Sequence, residues 1–413
     1  MPYRLYLRRY LLLAAALLLA SCVATRPVTD SEPETAACRA WLMQLDERID
    51  RAGVRDAEGY RIPGFAYLRA NRFLASLAPL AARDDAAFDY WQAQLTALDR
   101  QARQHELRNL PGAALPPLAR DAADAMQQVE ACRARLAAAD FATLDQRNTL
   151  IAQAQVPDDY ATGQRVVGLY GLLALPFYAG VTHAQAELQA AFAKPFEATS
   201  INRYQPAPAP LNGAAIHALW MRTPRDRLGI PQFSPADADA LLAAYAPLIE
   251  VEALGDFDRI GAVQWGQGKP TVNVDKPAVY QRVAFTRLGG KVLPQLVYTV
   301  WFSARPKQGA VDLLAGSLDG LIWRVTLDDA GQPLIYDSIH PCGCYHQFFP
   351  TARMTALPAP HRLLEWAFVP QQAPLLQEGE RVLLRLQSAT HYLQGVVAAA
   401  TAAGKATPYE LLA

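Results

Sequence analysis

The stretch His340-Pro341-Cys342-Gly343-Cys344-Tyr345-His346 sets two imidazoles and two thiols at every second position. That donor set completes a closed tetrahedral zinc site, and soft thiolates also select Cu(I). The four residues continue the even-numbered series Leu334, Tyr336 and Ser338. An unbroken strand would therefore turn all of them to one face. Strand neighbours two apart sit about 6.6 Å from each other. Ligand atoms around zinc come within about 3.8 Å, so the backbone has to curl. Pro341 and Gly343 suit such a curl better than they suit a central strand. The expectation is a zinc or copper site at His340, Cys342, Cys344 and His346, with His361 or His391 able to substitute from elsewhere in the sheet. The single residue between the cysteines departs from the wider spacing of zinc fingers.

The same residues admit two other readings. A Cys342–Cys344 disulfide would close a tight ring, and strained disulfides exchange readily. A neighbouring histidine lowers a thiol pKa, which suits a thiol–disulfide reagent or a cysteine hydrolase. The third reading is a structural turn in a scaffold without chemistry. The chain has no G-x-S-x-G, no H-E-x-x-H and no C-x-x-C. The glycine-rich segment 261–271 misses a phosphate loop, with Val263 and Pro270 at positions that motif reserves for other residues. Asp256 and Asp258 are paired carboxylates beside Arg259, expected to form a solvated turn. The aromatics between Trp301 and Phe349 are expected in the sheet core rather than in a ligand cage.

The elements that must present this stretch alternate with period two. Residues 279–286 and 296–303 flank Gly289-Gly290, a pair suited to a tight hairpin, with an irregular return over 291–295. Leu321, Trp323, Val325 and Leu327 alternate with Ile322, Arg324 and Thr326. The chain then turns at 328–332 and comes back through Leu334 to His340, a second hairpin. Residues 365–369 and 382–387 add strands, and Ser234-Pro235 opens a helix. Upstream the period is 3.6. Ser31-Glu32-Pro33-Glu34 starts a helical region that runs to about Phe196, with Phe88, Trp91, Leu95, Leu98 and Ala102 on one stripe. Residues 166–181 are almost wholly apolar. They read as a helix buried on all sides or, alternatively, as a surface for membrane lipid or an apolar ligand. Alternating Pro and Ala at 206–210 form a stiff connector.

The N-terminus carries Arg4, Arg8 and Arg9, then an unbroken Leu/Ala run over 11–20, then Ser21-Cys22. A basic head, a short apolar core and small residues describe a secretory signal, too short for a permanent span. Leu19-Ala20-Ser21-Cys22 resembles the lipobox of bacterial lipoproteins. The resemblance implies cleavage before Cys22, acylation of its thiol and attachment to a lipid bilayer on the periplasmic side. Val23, not aspartate, follows the lipidated position, which by the same resemblance points to the outer membrane. An ordinary signal peptide with a chance cysteine is the plainer alternative. The block from Val297 through His346 also resembles uncharacterised lipoproteins of proteobacteria, which implies no activity.

Taking the leader's three arginines from 39 basic residues leaves 36 against 39 acidic ones, a formal charge of −3. Nucleic acid is therefore not an expected partner. The periplasm is oxidising, so thiols there tend to be paired, metal-bound or buried. Cys38 shares a helical stripe with Trp41, Leu42, Leu45 and Ile49, and Cys132 one with Met126, Val129 and Leu136. Two core-facing cysteines on separate helices form either a disulfide or two buried small hydrophobes. The expected fold is α+β, an N-terminal helical domain followed by a mainly antiparallel β-sheet domain with a few helices. The expected order is a signal peptide at 1–21, a lipidated tether at 22–30, a helical domain at 31–196, a Pro-rich linker at 197–211 and a β-rich domain at 212–413.

Overall fold

The computed structural model describes residues 32–157, 168, 170–208, 213–266, 268–309, 312, 314–358, 366–400 and 406–413. The leader, Cys22, the tether, Ser31 and His361 lie outside the described residues. The architecture is α+β, with helices first and a strand-rich region after them. The chain forms two compact units that meet between residues 158 and 159.

In the first unit, α1 (Pro33–Ala52), α4 (Asp85–Asn109) and α5 (Ala122–Asp140) are the long helices. A small hairpin, β1 (Tyr60–Ile62) with β2 (Phe65–Ala70), lies between the first two. The short α2 (Arg72–Ser76) and α3 (Ala78–Ala81) follow it, and α6 (Leu144–Gln153) comes last. Helix starts follow local chemistry. Asn71, Asp84, Asp121 and Thr143 each accept a backbone N–H of the first turn, and Thr143 and Gln146 form a full capping box. Cys38 of α1 and Cys132 of α5 are joined in a disulfide, with Cα atoms 5.2 Å apart. The core of this unit is partly ionic. Arg69 of β2 reaches Asp99 at 3.1 Å and Glu106 at 2.7 Å, both on α4, and all three side chains are fully buried. Arg103 of α4 and Arg133 of α5 add two more cations on Asp99.

In the second unit, a six-stranded sheet runs in the order β11-β10-β9-β8-β7-β15. Its strands are β7 (Ala278–Leu288), β8 (Lys291–Phe302), β9 (Asp319–Leu327), β10 (Pro333–Ile339), β11 (Gln347–Pro350) and β15 (Glu410–Leu412). Gly289 and Gly290 both take positive φ, which closes the β7–β8 hairpin with Leu288 opposite Lys291. The return strand is regular, not interrupted as the sequence suggests. Pro294 faces Phe285, and pairing of β8 with β9 begins only at Gln295, so Pro294 removes no hydrogen bond on that side.

A five-stranded sheet runs β13-β12-β4-β3-β14. It uses β3 (Ile201–Gln205), β4 (Leu248–Glu252), β12 (Glu380–Leu386), β13 (Leu393–Ala400) and β14 (Thr407–Pro408). β5 (Ala262–Gly266) and β6 (Lys269–Asn273) form a separate hairpin. One core joins the two sheets with α9 (Pro235–Tyr245). Ile249 and Leu384 come from one sheet, Leu296 and Trp323 from the other, and Leu241 from the helix. α8 (Gly213–Arg222) lies between β3 and α9 in the chain.

Three sequence expectations are corrected here. The segment 197–211 is not merely a connector. It contains β3, which pairs with β4 in register Tyr204↔Ile249. The unit boundary lies about forty residues earlier than Phe196, so α7 (Tyr170–Phe192) belongs to the second unit. That helix is not buried on all sides. Leu172, Leu173, Leu175 and Phe177 are 73%, 55%, 61% and 66% exposed.

Candidate functional site

The motif at 340–346 is the hairpin connection between β10 and β11. Gly343 N–H donates to His340 O at 2.8 Å, and His340 N–H donates to Cys344 O at 3.1 Å. Gly343 has φ 86°, so Pro341 and Cys342 occupy the turn and glycine supplies the left-handed residue that brings the chain back. Tyr345 follows with φ 56°. The curl expected of Pro341 and Gly343 is present, but it does not gather the four side chains. Cys342 and Cys344 are exposed thiols. His346 Nε2 lies 3.1 Å from Asp337 Oδ1 and 2.9 Å from Arg324 Nη2. His340 lies instead beside Asp319, with Nδ1 3.4 Å from Oδ1. Among the described residues, no three of His, Cys, Asp and Glu converge on a metal position. The four-ligand geometry expected from the parity is thus corrected. Each histidine has its own carboxylate, and a two-residue period holds only while the strand does.

His340 stands at the end of a buried polar chain. His391, fully buried, has Nδ1 2.7 Å from Asp319 Oδ2. Its Nε2 is 3.2 Å from Phe257 O and 3.5 Å from Asp258 Oδ1. The His391 ring stacks on Phe302 with centroids 3.7 Å apart. Asp258 accepts Leu254 N–H at 2.8 Å and Gly255 N–H at 3.1 Å. It also accepts Ser388 Oγ–H and Ala389 N–H, each at 2.8 Å. Asp258 is therefore not the solvated turn residue read from the sequence, whereas its neighbour Asp256 is exposed.

Backbone geometry builds this chain. Asp319 opens β9 opposite Phe302, the last residue of β8. Gly320 is required next to it, since a Cβ there would sit 2.6 Å from Val300 O and 3.1 Å from the Pro341 ring. His391 and Ala389 adopt φ 51° and 64° in the connection between β12 and β13. Such conformations persist where surrounding contacts over-determine them, and the bonds to Asp258 and Asp319 do so here.

The charges follow from burial and contact. Burial by itself lowers the pKa of His391, but hydrogen bonds and charge from Asp258 and Asp319 outweigh it and raise the pKa. Every group facing its two ring nitrogens is an acceptor, which fits an imidazolium. Burial pushes Asp319 upward, yet His340 and His391 together hold it well below the usual carboxylate range. Asp258 is also lowered, because His391 and the backbone N–H groups outweigh its burial.

The far end of the chain opens on a cleft of about 130 Å³ whose wall includes Arg305, Asp319, His340, Cys342 and Tyr345. His340 is only 4% exposed, packs edge-on against Tyr345 and Tyr392, and has no partner at Nε2. Arg305 donates to Thr390 O at 3.2 Å and Tyr392 Oη at 3.0 Å, while its Nε has no partner. The site therefore holds a thiol, a histidine oriented by a carboxylate, and a guanidinium. Those residue types serve thiol chemistry and anion binding, with no hydrogen bond joining His340 Nε2 to a thiol.

Sequence reasoning weighed His340, Cys342 and Cys344 and named His391 only as a substitute ligand. It did not identify Asp319 or Arg305, and it misread Asp258. One local signal existed: Asp319-Gly320 directly precedes an alternating strand, and a glycine at a strand start signals close backbone approach. No family model, curated protein or solved structure matches this chain.

Proposed function

We propose that the protein is a lipid-anchored constituent of the bacterial envelope, acylated at Cys22 and facing the periplasm at the outer membrane. We further propose that its strand-rich unit performs thiol–disulfide exchange through Cys342. His340 is the base, and Asp319 holds its ring. Cys344, two residues on in the same turn, is the second thiol. The observation that carries this reading is a cleft lined by both Cys342 and His340, whose buried Nε2 has no partner among the described residues. In the reaction, the Cys342 thiol gives its proton to His340, and the thiolate attacks a substrate disulfide. Cys344 then displaces the mixed disulfide, leaving substrate reduced by two electrons and the Cys342–Cys344 pair oxidised. The second exposed thiol favours exchange over acyl transfer, for which one cysteine suffices.

The test is reaction of the full chain with a small aromatic disulfide, followed by mapping of the mixed disulfide. Attachment at Cys342, released only when Cys344 is present, is the expected result. Stoichiometric zinc or copper in the purified protein, lost in Cys342→Ser, would replace this reading with metal binding. Indistinguishable behaviour of a Cys342→Ser, Cys344→Ser variant would leave an envelope scaffold.

A further inference from the structure

We propose that the N-terminal half of α7 enters the acyl layer of one leaflet of a lipid bilayer. From residue 166 to residue 186 the chain has no Asp, Glu, Lys or Arg. Leu172, Leu173, Leu175 and Phe177 are all more than half exposed. At about 100° per residue they spread over an arc of about 200°, wider than one stripe, and the less exposed Ala174, Tyr178 and Val181 lie on the opposite side. A protein groove covers one face of a helix, typically a stripe a little over 100° wide. Lipid can cover an arc as wide as this one. The occupant that fits is therefore hydrocarbon.

The other half of the helix is held by its own unit. Gln189 Nε2 donates to Pro370 O at 2.6 Å, and Phe192 packs on Phe349 with centroids 5.7 Å apart. Between these halves, His183 and Glu187 form an exposed ion pair at 3.3 Å. Thr182 satisfies its hydroxyl within the helix by donating to Tyr178 O at 2.8 Å. The apolar half is about 15 Å long at ~1.5 Å per residue, half of a hydrocarbon core of roughly 30 Å. No helix among the described residues is long and apolar enough to cross a membrane, so entry is from one side only. This proposal does not rest on the chemistry at Cys342. The lipid expected at Cys22 would strengthen binding by adding a second attachment.

The full chain, reconstituted in phosphatidylethanolamine–phosphatidylglycerol vesicles with diazirine-bearing acyl chains, is irradiated and its adducts are mapped. Adducts at Leu172, Leu173, Leu175 or Phe177 are expected, falling at least tenfold in a Leu173→Asp, Phe177→Asp variant. Both side chains are exposed, so that variant should unfold at the wild-type midpoint. The mass of the N-terminal peptide reports acylation of Cys22 separately. Acylated protein without adducts at these four residues overturns the proposal. Adducts on a chain that is not acylated retain the proposal and remove the anchor reading instead.

Discussion

His391 Nδ1 lies 2.7 Å from Asp319 Oδ2 in the second unit, and the ring beside that contact is fully buried. With Asp258 at the other ring nitrogen, one cation separates two carboxylates. Removing the cation leaves both anions buried and repelling, so His391→Phe should cost about 3–5 kcal/mol. The pH dependence has a definite sign. His391 has a raised folded pKa, so its contribution is full below about 6.5 and is lost as pH climbs through the folded value. Asp258 and Asp319 have lowered folded pKa values, so theirs is present above about 3.9 and lost on acidification. Urea unfolding of the wild type against pH should give a maximum between these limits. A wild-type alkaline limb that His391→Phe leaves unchanged would remove His391 as its source.

Asp319 orients His340, which in turn should set the reactivity of Cys342. Asp319→Asn is expected to slow alkylation of Cys342 by iodoacetamide roughly tenfold or more at pH 7. It should also move the rate–pH profile to higher pH. Cys344 serves as the internal comparison, and equal slowing at both thiols would indicate a general change in the turn instead.

Arg69 bridges Asp99 and Glu106 in the first unit, with every partner out of water. Arg69→Met fills similar space but takes a cation from two buried carboxylates, leaving Asp99 to Arg103 and Arg133 and Glu106 to the more distant Arg61 and Arg103. A loss of about 3–5 kcal/mol in denaturant unfolding is expected. Adding Asp99→Leu and Glu106→Met should not restore it, because the buried Arg103 and Arg133 then lose a carboxylate partner.

The disulfide closes a separation of 94 residues between α1 and α5. Cys38→Ala with Cys132→Ala should destabilise the first unit by about 4 kcal/mol, chiefly through the freedom regained by the unfolded chain. Calorimetry of the full chain should show a lower transition for that unit. An unmoved transition in non-reducing buffer would contradict the bond.

Much of the fold is legible in local pattern. Gly289-Gly290 marks a hairpin because two consecutive positive φ values suit glycine. The alternation from Leu321 to Leu327 reads correctly because one face of β9 is buried. The stripe Phe88, Trp91, Leu95 and Ala102 places α4 for the same reason. The pattern fails where burial is decided from a distance. Asp99, Arg103 and Glu106 carry no local signal of burial, yet all three are buried, because β2 brings Arg69 across from another element. The apolar run at 166–181 reads either as core or as a surface for lipid or an apolar ligand, because hydropathy records that water is disfavoured, not what replaces it. His340 to His346 read as one ligand row because parity was carried past the end of β10, where the turn at Gly343 breaks the period.

Residue order and type determine the change from a 3.6-residue to a two-residue period and the turn at Pro341 to Gly343. Each depends on side chains or φ values within a few positions, so neighbouring residues suffice to specify it. Tertiary structure alone decided that Asp258, Asp319 and His391 share buried charge and that His340 faces a cleft with Cys342. Those groups come from chain segments up to 133 residues apart, Asp258 to His391. Their protonation depends on which segments exclude water around them, and only packing of the sheets and their connections supplies that.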